Sequence, residues 1–250
     1  MDDHVEIRPA ERFDGLPTLR DVPSASAAQM AEADRIASED LGIAVELLME
    51  NASHQIAAAA RAFLGGLAGK RIVAFVGSGN NGGDALGALR HLSGWGAIVG
   101  AVLAGPAESL RPLARRQHDI LAKLGVPHDV AVDDADLVID GLLGYSVSGA
   151  PRDTVADLIR AANASRLPIL AVDIPSGLHP DTGKPLGVTI RAALTVTLAL
   201  PKRGLVTTRS RALVGELLLA DIGIPPQAFD RLTIETRGLF ERGDLVRIIR

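Results

Sequence analysis

The chain has 250 residues, with 26 lysines and arginines against 30 acidic residues and a formal net charge of −4. This balance argues against a surface that attracts nucleic acid or anionic membranes, and one Trp, one Tyr and five Phe are too few for a nucleic-acid stacking platform. The absence of cysteine excludes disulfides, thiolate catalysis and cysteine-ligated zinc. No apolar run reaches membrane-spanning length, and residues 1–4 carry acid where a signal peptide carries base. We therefore expect a soluble, cytoplasmic protein that binds neither nucleic acid nor membranes.

Proline content and periodicity divide the chain into three segments. Residues 1–23 contain three prolines and no regular apolar spacing, which predicts a poorly structured lead-in. Residues 24–224 carry a regular pattern and are long enough to bury one large core. Residues 225–250 are predicted to be a C-terminal extension, in which 238–250 form either an extra strand or the remnant of a further domain.

Two alanine-rich helices are predicted first. Ser24 is a suitable N-cap for a helix over 25–41, and a second helix over 43–64 follows. Short apolar strands then recur at 71–76, 97–103, 136–139, 167–172, 193–198 and 215–219. Helical patterns separate the earlier strands, at 84–92, 109–124 and 153–164.

The alternation of strands and helices predicts the fold class. Several strands are almost continuously apolar, as expected for strands covered on both faces. A helix between successive strands favours parallel pairing, so we expect an α/β protein with a mostly parallel central sheet and helices on both sides. Because ligands bind beyond the carboxyl ends of the strands in such sheets, the residues that follow each strand are candidates for function.

The strand at 71–76 runs directly into the segment Gly-Ser-Gly-Asn-Asn-Gly-Gly-Asp at 77–84. Glycines let a bound group approach the backbone and tolerate positive φ, and the following helix offers unpaired N–H groups to an anion. A tight strand-to-helix connection would need only one or two glycines and no pair of asparagines. We therefore interpret the segment as a ligand-binding turn.

Three strand ends carry an aspartate. Asp84 closes the glycine-rich segment, and Asp140 and Asp173 each follow directly on a predicted strand. Turn capping would explain any one of them, but three at one edge of a sheet predict a site, to which Asn81 and Ser176 would contribute. Amide, hydroxyl and carboxylate oxygens suit a hard cation rather than zinc or copper, and aspartates can transfer protons.

Familiar nucleotide and nucleophile motifs are incomplete here. Glycines at 77, 79 and 82 fit the dinucleotide fingerprint, but the second strand ends without the acidic residue that would hold a ribose. No Gly-Lys-Ser/Thr follows the glycines, which excludes a P-loop, and Ser176 lacks the Gly-x-Ser-x-Gly context of a nucleophile elbow. An ordinary NAD-dependent oxidoreductase is therefore not favoured.

An ordered set of short motifs adds a resemblance. The chain reads Met-Glu-Asn-Ala at 49–52, Gly-Asn-Asn-Gly-Gly-Asp at 79–84, Asp-x-x-x-Gly at 140–144, Val-Asp-Ile-Pro-Ser-Gly at 172–177, Asp-Thr-Gly at 181–183 and Pro-Lys-x-Gly-Leu at 201–205. In order and spacing, from about residue 25 to 224, these motifs resemble the NAD(P)HX epimerases, also called the YjeF N-terminal domain.

The resemblance implies a Rossmann-like three-layer α/β/α sandwich that forms a homodimer. It also implies an enzyme that interconverts the R and S forms of hydrated NADH or NADPH. It implies a potassium ion held by Asn81, Asp140 and Ser176, and a separate NAD(P)HX dehydratase as functional partner. The substrate-binding residues that it implies are Asn80, Asn81, Gly82, Gly83, Asp84, Gly144, Tyr145, Ser146, Val147, Ser148, Gly149, Ala150 and Asp173.

Asp173 is our hypothesis for the catalytic residue, because it is the strand-end carboxyl that is not assigned to the metal. The hydrate carries a hydroxyl at C6, which the ring nitrogen expels when an acid protonates it; water then returns to the opposite face. Asp84 is the alternative acid, although helix capping explains its position equally well. We expect Asp173→Asn to abolish epimerisation and to fold like the wild type.

One residue departs from the family pattern, and a second has two possible roles. Ala85 stands where the family commonly has glycine, and its methyl group would narrow the nucleotide's approach while favouring the helix. Arg152 is either a phosphate ligand or an exposed first-turn residue. The same fold can also form a non-catalytic nucleotide-binding or protein-interaction module, but the presence of Asn81, Asp140, Asp173 and Ser176 together favours an enzyme.

Overall fold

The computed structural model describes residues 13–128, 131–132, 134–146 and 149–250. Its strands are β1 (Thr18–Leu19), β2 (Arg71–Val76), β3 (Ile98–Leu103), β4 (Leu137–Gly141), β5 (Ile169–Val172), β6 (Leu194–Leu198), β7 (Glu216–Ala220) and β8 (Leu245–Ile248). Within the described ranges they form one eight-stranded sheet in the order β1-β8-β7-β6-β5-β4-β2-β3. Every neighbouring pair is parallel except β7 with β8. The mostly parallel sheet is confirmed.

The helices flank this sheet. They are α1 (Ala27–Arg35), which continues as a π-helical turn over Ile36–Asp40, α2 (Val45–Leu64), α3 (Asn80–Gly94), α4 (Pro112–Lys123), α5 (Asp153–Ser165), α6 (Arg211–Val214) and α7 (Pro226–Asp230). In the part of the chain that the structure describes, no helix combines the length and apolar character needed to cross a membrane.

The core lies on both faces of the sheet because strand side chains alternate between them. Ile72 and Ala74 of β2 pack in a cluster with apolar residues of α1 to α4. Val73 and Phe75 of the same strand pack in a second cluster with Ile159 and other residues of α5. The result is the expected Rossmann-like arrangement of helices, sheet and helices.

The order of the strands reverses beside β2. The chain leaves β2 for β3 on one side of it and returns to β4 on the other, so β2 pairs with both. At such a reversal the connections after the two strands diverge and leave a crevice at their carboxyl ends. Residues 77–84 and the residues after β4 therefore border the place where this fold binds ligands.

Two segments outside the predicted central domain join its sheet. The described part of the lead-in contains β1, which pairs with β8, and the side chain of Phe13 is buried. Residues 13–23 thus differ from the expectation of a poorly structured lead-in, because a two-residue edge strand leaves no periodicity in the sequence; residues 1–12 lie outside the described ranges. At the other end, β8 pairs antiparallel with β7, so the tail forms the extra strand.

Helices α1 to α4 each begin two to four residues away from the predicted start, and α1 and α3 show the physical reason. Ser26, not Ser24, caps α1: its Oγ accepts the Gln29 N–H at 3.1 Å, and the Gln29 side chain accepts the Ser26 N–H at 3.0 Å. Helix α3 begins at Asn80, four residues before the predicted start at Asp84, with Gly79 as its N-cap. The asparagines and glycines after Gly79 therefore form the first turn of a helix rather than a loop.

Candidate functional site

A cavity of about 390 Å³ opens at the carboxyl ends of β2, β4 and β5, between these strand ends and helices α1 and α2. Residues that follow each of these three strands reach it. Those predicted residues that line it are Asn80, Asn81, Asp84, Gly144, Tyr145, Ser146 and Asp173. The strand ends thus converge on one pocket, as the sequence predicts.

Among the glycines at the start of α3, Gly82 and Gly83 are tightly packed and Gly79 has free space beside it. A Cβ on Gly82 would lie 2.1 Å from the Gly77 carbonyl oxygen, and one on Gly83 would lie 2.7 Å from the end of the Met49 side chain. A Cβ on Gly79, which lines the cavity, would meet nothing within 4 Å. Gly82 and Gly83, predicted to bind substrate, therefore allow close packing, whereas Gly79 leaves room on the ligand side.

Asp140, Ser176, Asn81 and the Leu143 carbonyl form a group that we call the oxygen cluster. Asp140 is fully buried; Ser176 donates to it from its Oγ at 2.6 Å and from its backbone N–H at 2.8 Å, and the Leu142 N–H donates at 3.2 Å. The Asn81 side-chain amide donates to the Leu143 oxygen at 3.2 Å. Burial raises the pKa of Asp140 to about 6, against the opposing effect of these hydrogen bonds.

The donor set of the oxygen cluster fits a hard monovalent cation. A carboxylate offers about four lone-pair sites, and the three donors around Asp140 leave one of them free. Among the described residues, no three His, Cys, Asp or Glu side chains converge as metal ligands. One carboxylate with hydroxyl, amide and carbonyl oxygens is suited to a singly charged hard ion.

Asp173 lies in the cavity wall as half of a buried ion pair. It is 4% exposed and contacts the ammonium group of Lys202, which is 1% exposed. The Asp173 Oδ1 also accepts the Leu198 N–H at 3.1 Å, and the Lys202 ammonium donates to the Leu198 carbonyl at 3.1 Å. The pair is therefore closed off by backbone groups at the end of β6.

The backbone at Asp173 is strained. Its φ is +64°, and the Ile174 N–H donates to the Val172 carbonyl at 2.7 Å, which closes a three-residue γ-turn. The same pattern recurs on the neighbouring strand, where Ala199 has a φ of +62° and the Leu200 N–H reaches the Leu198 carbonyl at 2.7 Å. Non-glycine residues with such φ values cluster at functional sites because the surrounding structure must hold them there.

Tyr145 connects the ion pair to a second carboxyl. Its hydroxyl donates to Asp34 of α1, and the Lys202 ammonium lies 5.3 Å from the centre of its ring. Burial raises the pKa of Asp34, and burial together with the Asp34 charge raises the pKa of Tyr145. The phenol therefore stays protonated and acts as a donor.

The surroundings of the Asp84 side chain differ from those of Asp173 and Asp34. Its side chain is 7% exposed and lines the cavity, and no hydrogen bond or ion pair to it occurs among the described residues. Burial and the negative charges of Asp173 and Asp34 raise its pKa well above the usual range for aspartate. It occupies the fifth position of α3, beyond the capping positions, so capping does not explain it.

The remaining predicted substrate-binding residues lie away from the cavity or outside the described ranges. Gly149 and Ala150 are exposed and do not line the cavity, and Val147 and Ser148 lie outside the described ranges. Arg152 is exposed at the N-cap of α5 and also lies away from the cavity, as expected for a surface residue.

The methyl group of Ala85 does not face the cavity. The residue is fully buried, and a Cβ on Gly141 would lie 2.5 Å from the Ala85 Cβ. The expectation that this methyl narrows the nucleotide's approach is therefore wrong: it packs between α3 and the end of β4.

Sequence reasoning missed five polar residues of the cavity: Asp34, Arg35, Ser38, Arg111 and Lys202. Lys202 belongs to the motif at 201–205, and that was the one available signal, although nothing in the motif indicates an ion pair with Asp173. Asp34 and Arg111 lie in regular helical patterns, where charged residues are commonplace, and no signal marks them.

Comparisons with known proteins agree with this geometry. Residues 45–204 match the family model described as YjeF-related protein N-terminus. The NAD(P)H-hydrate epimerase of Dehalogenimonas lykanthroporepellens is 38% identical over 225 residues, which cover 88% of this chain and 90% of that protein. The NAD(P)H-hydrate epimerase of Cenarchaeum symbiosum is 39% identical over 197 residues, covering 75% of this chain and 90% of that one.

A longer relative and a crystal structure complete the comparison. A bifunctional NAD(P)H-hydrate repair enzyme, Nnr, of Moorella thermoacetica is 42% identical over 213 residues, which cover 80% of this chain but 40% of that protein. The chain thus spans less than half the length of that relative. The crystal structure of yeast YNL200c has the same fold, with a TM-score of 0.78 at 22% identity over 90% of this chain and 100% of that one. On its family match and its near full-length similarity to two epimerases, the chain belongs to the YjeF-related protein N-terminus family.

Proposed function

We propose that the protein is an NAD(P)HX epimerase, an isomerase that interconverts the R and S forms of hydrated NADH or NADPH. The observation that carries the proposal is the cavity at the strand reversal, in which Asp84, Asp173 and Lys202 meet. Support also comes from relatives named NAD(P)H-hydrate epimerase that match over nine tenths of their own length.

The chemistry of the substrate suits this cavity. Epimerisation at C6 of the hydrated nicotinamide needs proton transfer to a departing oxygen and from an arriving water, and buried aspartates can do both. Asp173 remains our choice for a residue that touches the reacting ring, since it lies in the cavity wall beside a fixed cation. No hydride moves in this reaction, which agrees with the missing ribose-binding acid of a dehydrogenase.

The nucleotide end of the substrate would bind at the first turn of α3. Helix N-termini present unpaired N–H groups and a partial positive charge to phosphates. Asn80, Asn81 and the open position at Gly79 lie at that end of the cavity, with the residues after β4 opposite. Arg111, whose side chain has no ion pair among the described residues, lies close by because its N–H donates to the Ser78 carbonyl at 2.8 Å.

A potassium ion is proposed as the cofactor. Asn81, Asp140 and Ser176 would hold it, and the Leu143 carbonyl would be a fourth ligand. When bound, the ion would add positive charge beside the turn after β4 and so favour a bound anion. The homodimer and the separate dehydratase that would remove the hydrate also remain proposals from the resemblance.

Epimerisation of purified R-NADHX, followed by chromatography, tests the function. We expect the S form to accumulate well above the rate in buffer, faster in potassium than in sodium salts, and equally fast with Arg152→Ala as a surface control. Binding of NADHX without turnover would instead indicate a non-catalytic module. Tight binding and oxidation of unmodified NADH would indicate an oxidoreductase.

A further inference from the structure

Inversion at C6 places two demands on the site. One group must give a proton to the oxygen that leaves from one face of the ring, and another must take a proton from the water that adds to the opposite face. The two carboxyl groups Asp84 and Asp173 differ in their surroundings, and the difference assigns these two tasks.

Asp173 is the acceptor half of a buried ion pair. Its Oδ1 accepts the Lys202 ammonium and the Leu198 N–H, and it also lies 3.4 Å from the Thr197 hydroxyl. Hydrogen bonds to the charged form of a carboxyl favour that form. Removing the charge would leave the ammonium of Lys202, itself 1% exposed, without its counter-ion, which is strongly unfavourable in a buried site.

Asp84 is fixed in its neutral form. No described residue donates a hydrogen bond to its side chain, and the residue is only 7% exposed. Asp173 and Asp34 are its negative neighbours, and the positive neighbour Lys202 is already engaged by Asp173. An unpaired buried carboxylate is energetically costly. The pKa of Asp84 is therefore raised well above the usual value for aspartate, and the side chain keeps its proton.

We propose that Asp84 is the general acid and Asp173 the general base of the epimerisation, and that Lys202 is a positioning residue that holds the Asp173 carboxylate. This proposal rests on the proposed function and deepens it. It divides between two residues the roles that the sequence-based hypothesis gave to Asp173 alone, because the Asp173 carboxylate is already engaged by the Lys202 ammonium.

The bonds balance over one turnover. The Asp84 proton moves to the C6 oxygen, the C6–O bond breaks with its electron pair on oxygen, and the lone pair of the ring nitrogen forms a C=N bond. Water leaves; another water adds to C6 from the opposite face, the C=N electron pair returns to nitrogen, and Asp173 takes the released proton. Exchange with solvent then removes the proton from Asp173 and returns one to Asp84, which restores the starting state.

Several charged groups surround this pair and contribute to its pH dependence. Asp34 of α1 accepts from Tyr145, Lys202 faces both Tyr145 and Asp173, and Arg35 and Arg111 line the cavity as well. Arg35 is engaged by Glu32 and Asp40 on its own helix and the following turn. The rate should fall at high pH, where Asp84 loses its proton.

The main test replaces Asp84 by asparagine, which matches the neutral carboxyl in shape but cannot give up a proton. We expect Asp84→Asn to lower kcat at least about 100-fold and to leave the unfolding midpoint unchanged or raised. Asp157→Asn, on the exposed surface of α5, is the matched control with unchanged kcat. An Asp84→Asn protein with kcat within about tenfold of the wild type overturns the assignment.

A second test addresses Lys202 through the split between kcat and KM. Lys202→Met removes the ammonium that holds Asp173, so kcat should fall at least about tenfold with KM little changed, while Lys202→Arg keeps the charge and should recover most of kcat. A Lys202→Met protein with wild-type kcat, or equal losses in the two variants, overturns the positioning role. A wild-type protein that does not epimerise NADHX refutes the proposed function and this inference together, whereas an active wild type with an equally active Asp84→Asn refutes the inference alone.

Discussion

Asp140 in the oxygen cluster and Asp84 in the cavity lie at the same edge of the sheet, but their buried carboxyl oxygens have different surroundings. Asp140 is fully buried, yet three donors from the two turns beside it surround its oxygens. Asp84 is nearly as buried and receives no hydrogen bond among the described residues. Burial alone therefore does not decide the state of a carboxyl; the supply of donors around it does.

The supply of donors follows from the secondary structure. Asp140 lies at the end of a strand, where the backbone turns and its N–H groups have no ladder partner, so Leu142 and Ser176 can donate to it. Asp84 lies inside α3, where the backbone N–H groups are used within the helix. A strand end can thus hold an anion or a cation ligand, while a helix interior presents a carboxyl that keeps its proton.

The largest effect is expected from Asp173→Asn, which removes the carboxyl of the cavity that, like Asp140, is surrounded by donors. Loss of the base should lower kcat about 100- to 10,000-fold. It also leaves the buried Lys202 ammonium unpaired, so the free energy of unfolding should fall by about 3–5 kcal/mol, contrary to the sequence-based expectation of wild-type folding. Denaturant unfolding and the NADHX assay measure the two effects.

The double variant Asp173→Asn, Lys202→Met separates these two losses. It removes both charges from the buried site, so we expect most of the stability to return and the activity to stay low. Activity that returned with stability would show that Asp173 acts only through the fold.

Ser176→Ala removes one of the donors to Asp140 and so tests the oxygen cluster. It removes the hydroxyl that donates to Asp140 at 2.6 Å and accepts from the Leu143 N–H at 2.9 Å. We expect a loss of about 1.5–3 kcal/mol in the free energy of unfolding and loss of any stimulation by potassium. Ser165→Ala, whose hydroxyl bonds only backbone groups, is the matched control with a smaller loss and normal stimulation. Equal responses of the two variants would mean that the oxygen cluster is not a cation site.

Gly77 and Gly79, which follow β2, allow a paired test of packing against ligand space. A Cβ on Gly77 would lie 1.8 Å from the Leu142 carbonyl oxygen, so Gly77→Ala should cost about 1–3 kcal/mol and displace the turn after β4. Gly79→Ala meets open space and should fold normally but raise KM, because its methyl group enters the cavity. Unfolding curves and KM values that were alike for the two variants would contradict this division.

The smallest effect is expected from Ala85→Gly, which restores the residue common in the family. A glycine inside α3 should lower the free energy of unfolding by about 1 kcal/mol. KM should not change, since Ala85 packs against Gly141 and not against the cavity. A several-fold lower KM would place the methyl group in the nucleotide's path after all.

Much of this architecture could be predicted from the sequence because it depends on local patterns. The strand at 71–76 is observed with the predicted bounds, since an apolar run ends abruptly at glycine. The cavity follows from one general property of parallel sheets, that their strands end at one edge. The start of α3 was missed because glycine and asparagine favour turns, whereas here Gly79 serves as N-cap and the helix continues through Gly82 and Gly83.

The contacts that set the state of each carboxyl could not be predicted. The hydrogen bond from Tyr145 to Asp34 joins residues 111 positions apart, and the pairing of Lys202 with Asp173 depends on how the turns after β5 and β6 face one another. Such pairings arise from tertiary packing and leave no periodicity in the chain. For the same reason, the sequence identifies Asp84 and Asp173 as candidates but does not distinguish the acid from the base.

The burial of Lys202 also makes it a chemical reporter. Amine-reactive reagents need a solvent-accessible ammonium, which Lys123 and Lys184 provide on the surface and Lys202 does not. Acylation of Lys202, read by peptide mass spectrometry, would therefore record only those moments when the turns after β5 and β6 separate. The labelling rate of this single side chain would measure how often the site opens.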